Sequence, residues 1–503
     1  MQYRSTRNFA ANVSSAQAIA QGICEDGGLF APDQLPKISW RDLEEMRASS
    51  YVERAQKILS LFLTDFSAEE IHNCVAQAYT EEKFPRGPAQ LSLLQEGGCS
   101  MYLLELWHGP TCAFKDMALQ LLPHLLTTSL RKIKSDKEAV ILVATSGDTG
   151  KAALEGFRDV PGTKILVFYP EDGVSPMQKR QMVTQSGENV AVCAIRGNFD
   201  DAQTGVKKIF TDAGVCDVLA RNGMMFSSAN SINLGRLLPQ IVYYISAYCD
   251  LMANGKIARE GQPVNIAVPT GNFGNILAAY YAKRMGLPVH KLICASNSNN
   301  VLTDFLRTGV YDRNRPFYTT ISPSMDILIS SNLERLLSSL TGSDATVRGW
   351  MQTLSETGRY SVDAKTLQQI QELFWAGCCD DRQTQAEIRS LYQAENYLCD
   401  THTAVAVHVY RQYVQQSADR ETPVIIASTA SPYKFADSVL AAISDHIPSG
   451  DDFDKIDALS AMTGTQIPAP IAQLRDKRVR FSGDCTPAQM PQTVLRLAGA
   501  ENG

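Results

Sequence analysis

The chain has 503 residues, 44% of them hydrophobic and 20% charged, with a formal net charge of −6. That length allows two or three domains with ample core, and the acidic balance excludes a general nucleic-acid binder, whose affinity rests on neutralising phosphates. No apolar run is long enough for a membrane span, MQYRSTRNFAANVSS lacks the apolar core of a secretory signal, and the twelve cysteines form no CxxC pair. Buried, reduced thiols in a cytoplasmic protein are therefore expected, with no metal site and no disulfide framework.

Residues 1–94 read as a mainly helical domain. Apolar positions recur at helical spacing in RDLEEMRASSYVERAQKILSLFL and SAEEIHNCVAQAY, and Ser67 followed by Glu70 predicts a capping box. FPRGPAQLSLLQEGGCS reads as a boundary. From about residue 100 short apolar runs alternate with amphipathic segments. The runs are AVILVAT (139–145), TKILVFY (163–169), NVAVCAI (189–195), GMMFSSA (223–229), VNIAVPT (264–270), HKLICAS (290–296) and TPVIIAST (422–429). Unbroken apolar runs suit parallel strands covered on both faces, and the alternation predicts a doubly wound α/β architecture. Residues 95–330 are expected to form a core of two lobes, 331–400 a helical insertion, and 401–503 a return to that core with a C-terminal segment.

Ligands of such sheets sit in the loops after the strands. In LWHGPTCAFKDMALQ, Lys115 follows Ala113 and Phe114 at the entry to a helical run. Composition alone makes it a solvated surface charge, but desolvation in this apolar setting would free its amine to attack carbonyls. ATSGDTGKAAL (144–154) joins a strand to a helix with small residues, which suits a carboxylate or phosphate at the helix start. It equally suits an ordinary tight turn capped by Asp148 or Thr149. PTGNFGNILAA (269–279) carries Gly271 and Gly274, and its amides could cradle one phosphate. It matches neither a P-loop nor a GxGxxG fingerprint. SSANSINLGRLLPQ (227–240) places Asn230, Ser231, Asn233 and Arg236 after a strand; Arg236 could grip a phosphate, or the loop could merely cap a helix. Thr429, in STASPYKFADSV, ends the last strand.

Together these segments resemble threonine synthases of the branch with a long N-terminal region. YRSTRN with AIAQGICEDGGLFAPDQLP is similar to that branch's N-terminal signature, and HGPTCAFKD to its cofactor-lysine motif. SGDTG, SSANSINLGR, PTGNFGN and TASPYKF resemble further family motifs in the expected order. Ser431 stands where members often carry histidine. The resemblance implies a fold-type II enzyme with pyridoxal 5'-phosphate held as a Schiff base on Lys115. It implies that Gly271, Asn272, Phe273, Gly274 and Asn275 hold the cofactor phosphate, that Thr429 bonds the pyridine nitrogen, and that Ser146, Asp148 and Thr149 lie near the cofactor hydroxyl and the substrate carboxylate. The implied reaction turns O-phospho-L-homoserine and water into L-threonine and phosphate, Lys115 moving the protons. Lys151, Asn230 and Arg236 are the candidates for the leaving phosphate. Motif-sharing proteins that release a 2-oxo acid and ammonia are the alternative, and a non-catalytic cofactor-binding protein is a second. A small-molecule substrate is expected, with no nucleic acid or membrane partner, in a monomer or homodimer.

Overall fold

The computed structural model describes residues 1–96, 99–145, 147–171, 174–445 and 448–500. All seven apolar runs form strands, sorted into two sheets. Val190–Ile195, Thr163–Pro170, Glu138–Ala144 and Met224–Ser227 lie side by side in that order, all parallel, with the two-residue strand Asp484–Cys485 at the outer edge. The larger sheet runs Phe374–Cys378, Val289–Ser296, Val264–Pro269, Val424–Ser428, Cys99–Glu105, Gln90–Glu96. Its pairs are parallel except the last. Every residue of Val264–Pro269 and Val424–Ser428 is buried, as strands covered by helices on both faces require.

Three departures from the expected organisation share a cause. The boundary drawn at 94 cuts the strand Gln90–Glu96, whose alternating apolar and polar residues pair antiparallel with Cys99–Glu105. Residues 331–400 supply not only helices but the edge strand Phe374–Cys378, entered directly from the helix Ala364–Leu373. Residues 1–94 carry, besides helices, a three-stranded antiparallel sheet of Tyr3–Ser5, Asn8–Val13 and Phe30–Pro32. Each of these strands gains its conformation from a pairing partner, the next strand for Gln90–Glu96 and one far along the chain for Phe374–Cys378, not from local periodicity. Among the helices, Ala68–Ala78 begins with the capping box foreseen at Ser67 and Glu70.

The N-terminal segment does not stand apart. Its buried residues share one apolar cluster with both sheets. Arg54, buried, reaches Asp250 at 2.6 Å and the Ser246 hydroxyl at 2.8 Å. Arg7 makes a two-bond fork to Glu334, both bonds 2.8 Å. The helix Leu234–Ala253 is buried along nearly its whole length and forms the post between this segment and the sheets. Among the described residues, no helix is long and apolar enough to cross a membrane.

Candidate active site

Lys115 opens the short helix Lys115–Leu119. The loop before it is zipped to the residues after the strand Val424–Ser428. Phe114 N–H donates to the Thr429 carbonyl at 2.8 Å, Ser431 N–H donates to the Cys112 carbonyl at 3.1 Å, and Ala113 bridges Ala430. Cys112 sits at φ 58°, a left-handed conformation that costs a non-glycine residue about 1–2 kcal/mol and that the pairing on either side holds in place. Thr111 adds a second clamp, donating N–H and O–H to the buried Asp116 carboxyl at 2.8 and 2.6 Å. Burial pushes that carboxyl up to about 6.

The Lys115 side chain is 12% exposed. Its Nζ donates to Ser324 Oγ at 3.2 Å and lies 3.7 Å from Asp148 Oδ2. Burial lowers its pKa to about 8 against the attraction of Asp148, and the positive charges of Lys434 and Arg236 push the same way as burial. Asp148 opens the helix Asp148–Phe157. Its other oxygen accepts from Lys434 Nζ at 2.6 Å and from Gln178 Nε2 at 3.0 Å. Burial alone would raise the Asp148 carboxyl, but Lys434 and Lys115 hold it well below the usual carboxylate range. Asp148 is therefore the site's fixed anion, not the helix cap. The N-cap position is Gly147, and the Thr145 hydroxyl accepts from the N–H groups of Gly147 and Gly150 at 3.0 and 2.9 Å. Gly147, at φ 147°, has no room for a side chain, since a Cβ there would fall 2.4 Å from the Gln178 amide.

The loop 270–274 forms the opposite wall. Phe273 takes φ 62° and heads the helix Gly274–Met285, its buried ring packing on Phe374 at 5.8 Å. The carbonyls of Gly271 and Asn272 are bonded from behind by Ser330 Oγ (2.7 Å) and Asn332 (3.1 and 3.0 Å). The first N–H groups of the helix have no carbonyl one turn back to accept them. Two buried side-chain atoms at this helix start also lack partners among the described residues: Asn275 Nδ2 and Gln240 Oε1. Such orphaned groups are rare and costly unless something polar completes them. A glycine-lined helix start with unsatisfied polar atoms fits a bound phosphate group.

Arg236 lies in the first turn of Leu234–Ala253, donates Nη1 to the Ala229 carbonyl at 2.9 Å, and is pulled down to about 10 by burial. Asn230 lies at the turn before it, its carbonyl accepting from Asn233 N–H at 3.0 Å. Thr149 is half-buried beside Asp148. Ser146 lies outside the described residues.

Lys151 is not brought to this group. Its buried ammonium faces Glu155 at 3.2 Å and Gln185, so its charge is spent one turn along its own helix. Lys115, Asp148, Arg236, Thr429 and the loop at Gly271 do converge, joined by residues that sequence reasoning did not select. Ser324, from the turn Pro323–Met325, touches Lys115 and packs its carbonyl against Gly271. Nothing in its sequence context signals this. Gln178 and Thr145 support Asp148. Lys434 stood in view within TASPYKF, but a lysine one turn past a strand has no local mark of burial.

Comparison with known proteins bears on this geometry. The families described as "Threonine synthase N terminus", "Pyridoxal-phosphate dependent enzyme" and "Threonine synthase, C-terminal" match residues 2–79, 86–429 and 403–483. Threonine synthase-like 1 of Homo sapiens is 41% identical over 439 residues, which is 85% of this chain, and the chain spans only 58% of that protein's length. Threonine synthase of Eremothecium gossypii is 36% identical, over 91% of each protein. The crystal structure of PLP-bound threonine synthase from Brucella melitensis superposes with a TM-score of 0.86 at 37% identity, over 99% of both chains. The chain belongs to the threonine synthase family of pyridoxal-phosphate-dependent enzymes.

Proposed function

We propose that the protein converts O-phospho-L-homoserine and water to L-threonine and phosphate, with Lys115 as the residue that carries the cofactor. The observation that carries this reading is the buried Lys115 amine, lowered to about 8, aimed between Ser324 and Asp148 at one side of a glycine-lined helix start. Bound pyridoxal phosphate supplies an electron sink for the charge left when a substrate C–H proton departs.

The chain's own residues do the rest. Gly271, Asn272, Phe273, Gly274 and Asn275 hold the cofactor phosphate through amide N–H groups, and the Asn275 side-chain amide, whose oxygen is taken by the Tyr244 hydroxyl, turns its unpartnered Nδ2 to the same duty. Lys115, once displaced by the substrate amine, takes the Cα proton and returns protons along the substrate carbons, which a lysine near neutrality does well. Asp148 and Thr149 would meet the cofactor hydroxyl and the substrate carboxylate. Arg236 and Asn230 receive the departing phosphate.

Incubation with O-phospho-L-homoserine tests the reaction, scoring phosphate, threonine and 2-oxobutanoate together. Equal phosphate and threonine are expected. Phosphate with 2-oxobutanoate and ammonia would replace this reading by elimination without water addition, and no phosphate at all would leave a cofactor-binding protein that does not turn this substrate over.

Among the described residues, Arg236 has a buried charge with no acidic partner bonded to it, which is costly unless a ligand anion neutralises it. Arg236→Ala is expected to raise KM for phosphohomoserine about tenfold or more, the loss of one charge-assisted contact, and to weaken inhibition by inorganic phosphate. Its affinity for the cofactor should barely change. Wild-type KM and phosphate inhibition would place the substrate phosphate elsewhere.

The loop is fixed at Thr429 through its backbone, whose carbonyl accepts from Phe114 N–H, so a change confined to the hydroxyl leaves that bond in place. Thr429→Val keeps the volume and removes the hydroxyl meant for the pyridine nitrogen. The cofactor should stay bound while its absorbance maximum shifts and kcat falls. An unaltered spectrum with an unaltered rate would make Thr429 a packing residue only.

A further inference from the structure

The site contains a second buried lysine that the reading above leaves without a role. Lys434 lies on the tight turn Pro432–Phe435, and its side chain is fully buried. Its ammonium donates to Asp148 Oδ1 at 2.6 Å and to the Thr111 carbonyl at 3.0 Å. Asp148 comes from the helix after one sheet, whereas Thr111 and Lys434 come from loops after two strands of the other. Three groups thus stand in a row: Lys434, the Asp148 carboxylate, and Lys115. The carboxylate is shared unequally, at contact distance to Lys434 and 3.7 Å from Lys115, too long for a good hydrogen bond.

We propose that Lys434 is a positioning residue that draws the Asp148 carboxylate onto itself and so keeps the Lys115 amine ready to shed its proton. The proposal rests on Lys115 being the cofactor lysine. It acts twice in the same direction. Lys434 takes the anion that would otherwise stabilise an ammonium at Lys115, and its own charge repels one. The other groups facing Lys115 are accounted for. Arg236, from Leu234–Ala253, opposes a charge on Lys115 as Lys434 does. Ser324 is uncharged and accepts one hydrogen bond. The Phe114 ring lies 5.5 Å away. Asp116 is turned to Thr111 and is bonded there. Among the described residues Asp148 is thus the anion that contends for Lys115, and Lys434 sets how much of it Lys115 receives. An amine kept near neutrality serves both demands of the reaction, attachment to the cofactor carbonyl and removal of a substrate proton.

A purely mechanical part for Lys434, stapling Asp148 to the Thr111 loop, predicts a loss of stability and nothing more. The two are separated by titrating Lys115 itself. The full-length chain is freed of cofactor by dialysis against hydroxylamine, and its fold is checked by circular dichroism. A trace of isotopic acetic anhydride, which reacts only with neutral amines, is applied from pH 6 to 11, and the Lys115 peptide is quantified by mass spectrometry. In Lys434→Met the labelling midpoint should rise by about one pH unit or more. Lys434→Arg, which keeps the charge, should restore most of the wild-type midpoint. An unmoved midpoint in folded Lys434→Met overturns the proposal. Where Lys434→Met does not fold, Asp148→Asn is compared with the double variant Asp148→Asn/Lys434→Met, whose buried charges are both gone. A higher midpoint in the double variant supports repulsion by Lys434, and equal midpoints overturn it. Borohydride trapping on the wild type checks Lys115 separately, so a misassigned lysine and a failed role for Lys434 give different results, and neither depends on which product the enzyme makes.

Discussion

Lys115→Ala is expected to lower kcat by about a thousandfold or more while the chain still folds, because the proposed function makes the residue both the covalent anchor and the base at the substrate carbons. The change removes a desolvated amine whose described bonds are one 3.2 Å contact to Ser324 and a long approach to Asp148. Asp148 keeps Lys434 and Gln178, so no buried charge is orphaned. The melting temperature of the cofactor-free variant should therefore stay within about 4 °C of wild type. Borohydride treatment of the wild type should fix the cofactor to one peptide, the one containing Lys115. The label on any other lysine, or near-normal turnover by the variant, would remove Lys115 from the chemistry. The pH dependence follows from the lowered value. In wild type, cofactor uptake should climb as pH rises through about 8, where Lys115 becomes neutral, rather than near the ordinary lysine value.

Gly271→Val should be the most damaging change in the loop 270–274. A Cβ at Gly271 would stand 2.6 Å from the Ser324 carbonyl oxygen and 3.5 Å from the Met325 Cα, and both are backbone atoms. Either the loop or the turn Pro323–Met325 must move. Moving the turn also carries away the Ser324 hydroxyl that meets Lys115. Cofactor affinity should fall about a hundredfold or more, near 3 kcal/mol. Gly274→Ala is the informative contrast. The Cβ there meets only the Asn332 and Gln240 side-chain amides, at 3.5 and 3.7 Å, and Gly274 has no left-handed φ. The chain alone should accept it, so any affinity lost at position 274 reports crowding of the bound phosphate itself. Spectral titration with pyridoxal phosphate measures both. Undiminished affinity in both variants would take this loop out of the site.

The parallel strands were legible in the sequence because strands buried on both faces do not alternate: VNIAVP and VIIAS are apolar but for Asn265 and Ser428, and such a run is visible without any partner. LSLLQE was not legible, since an edge strand with exposed residues resembles boundary sequence until its pairing is known, and CSMYLLE, though buried from Met101 to Glu105, begins within that boundary stretch. FWAGC hides at the end of a helical pattern and becomes a strand only beside Val289–Ser296. The same distinction divides the site. The glycine-rich loops and Lys115 declare themselves by composition at strand ends, and the structure sets them around Arg236 and Asp148. Ser324 and Lys434 do not, because their importance lies in what they touch: Lys115, 209 positions before Ser324, and Thr111, 323 positions before Lys434. Lys151 erred in the opposite sense. It sits next to the right motif, but a glutamate one turn later claims it.

The strand Val424–Ser428 lies between Val264–Pro269 and Cys99–Glu105, and the residues just after it shape the loop that holds Lys115. During synthesis, a ribosome that has made residues 1–420 has already delivered Lys115, both glycine-rich loops and Arg236, yet the larger sheet still has a gap at its middle. Until residues 424–428 emerge, the nascent protein holds unpaired edges on both sides of that gap, a state open to wrong pairing. Assembly of the site around Lys115 therefore waits for residues 424–431, and chains terminated before them should present exposed sheet edges to the cell's chaperones.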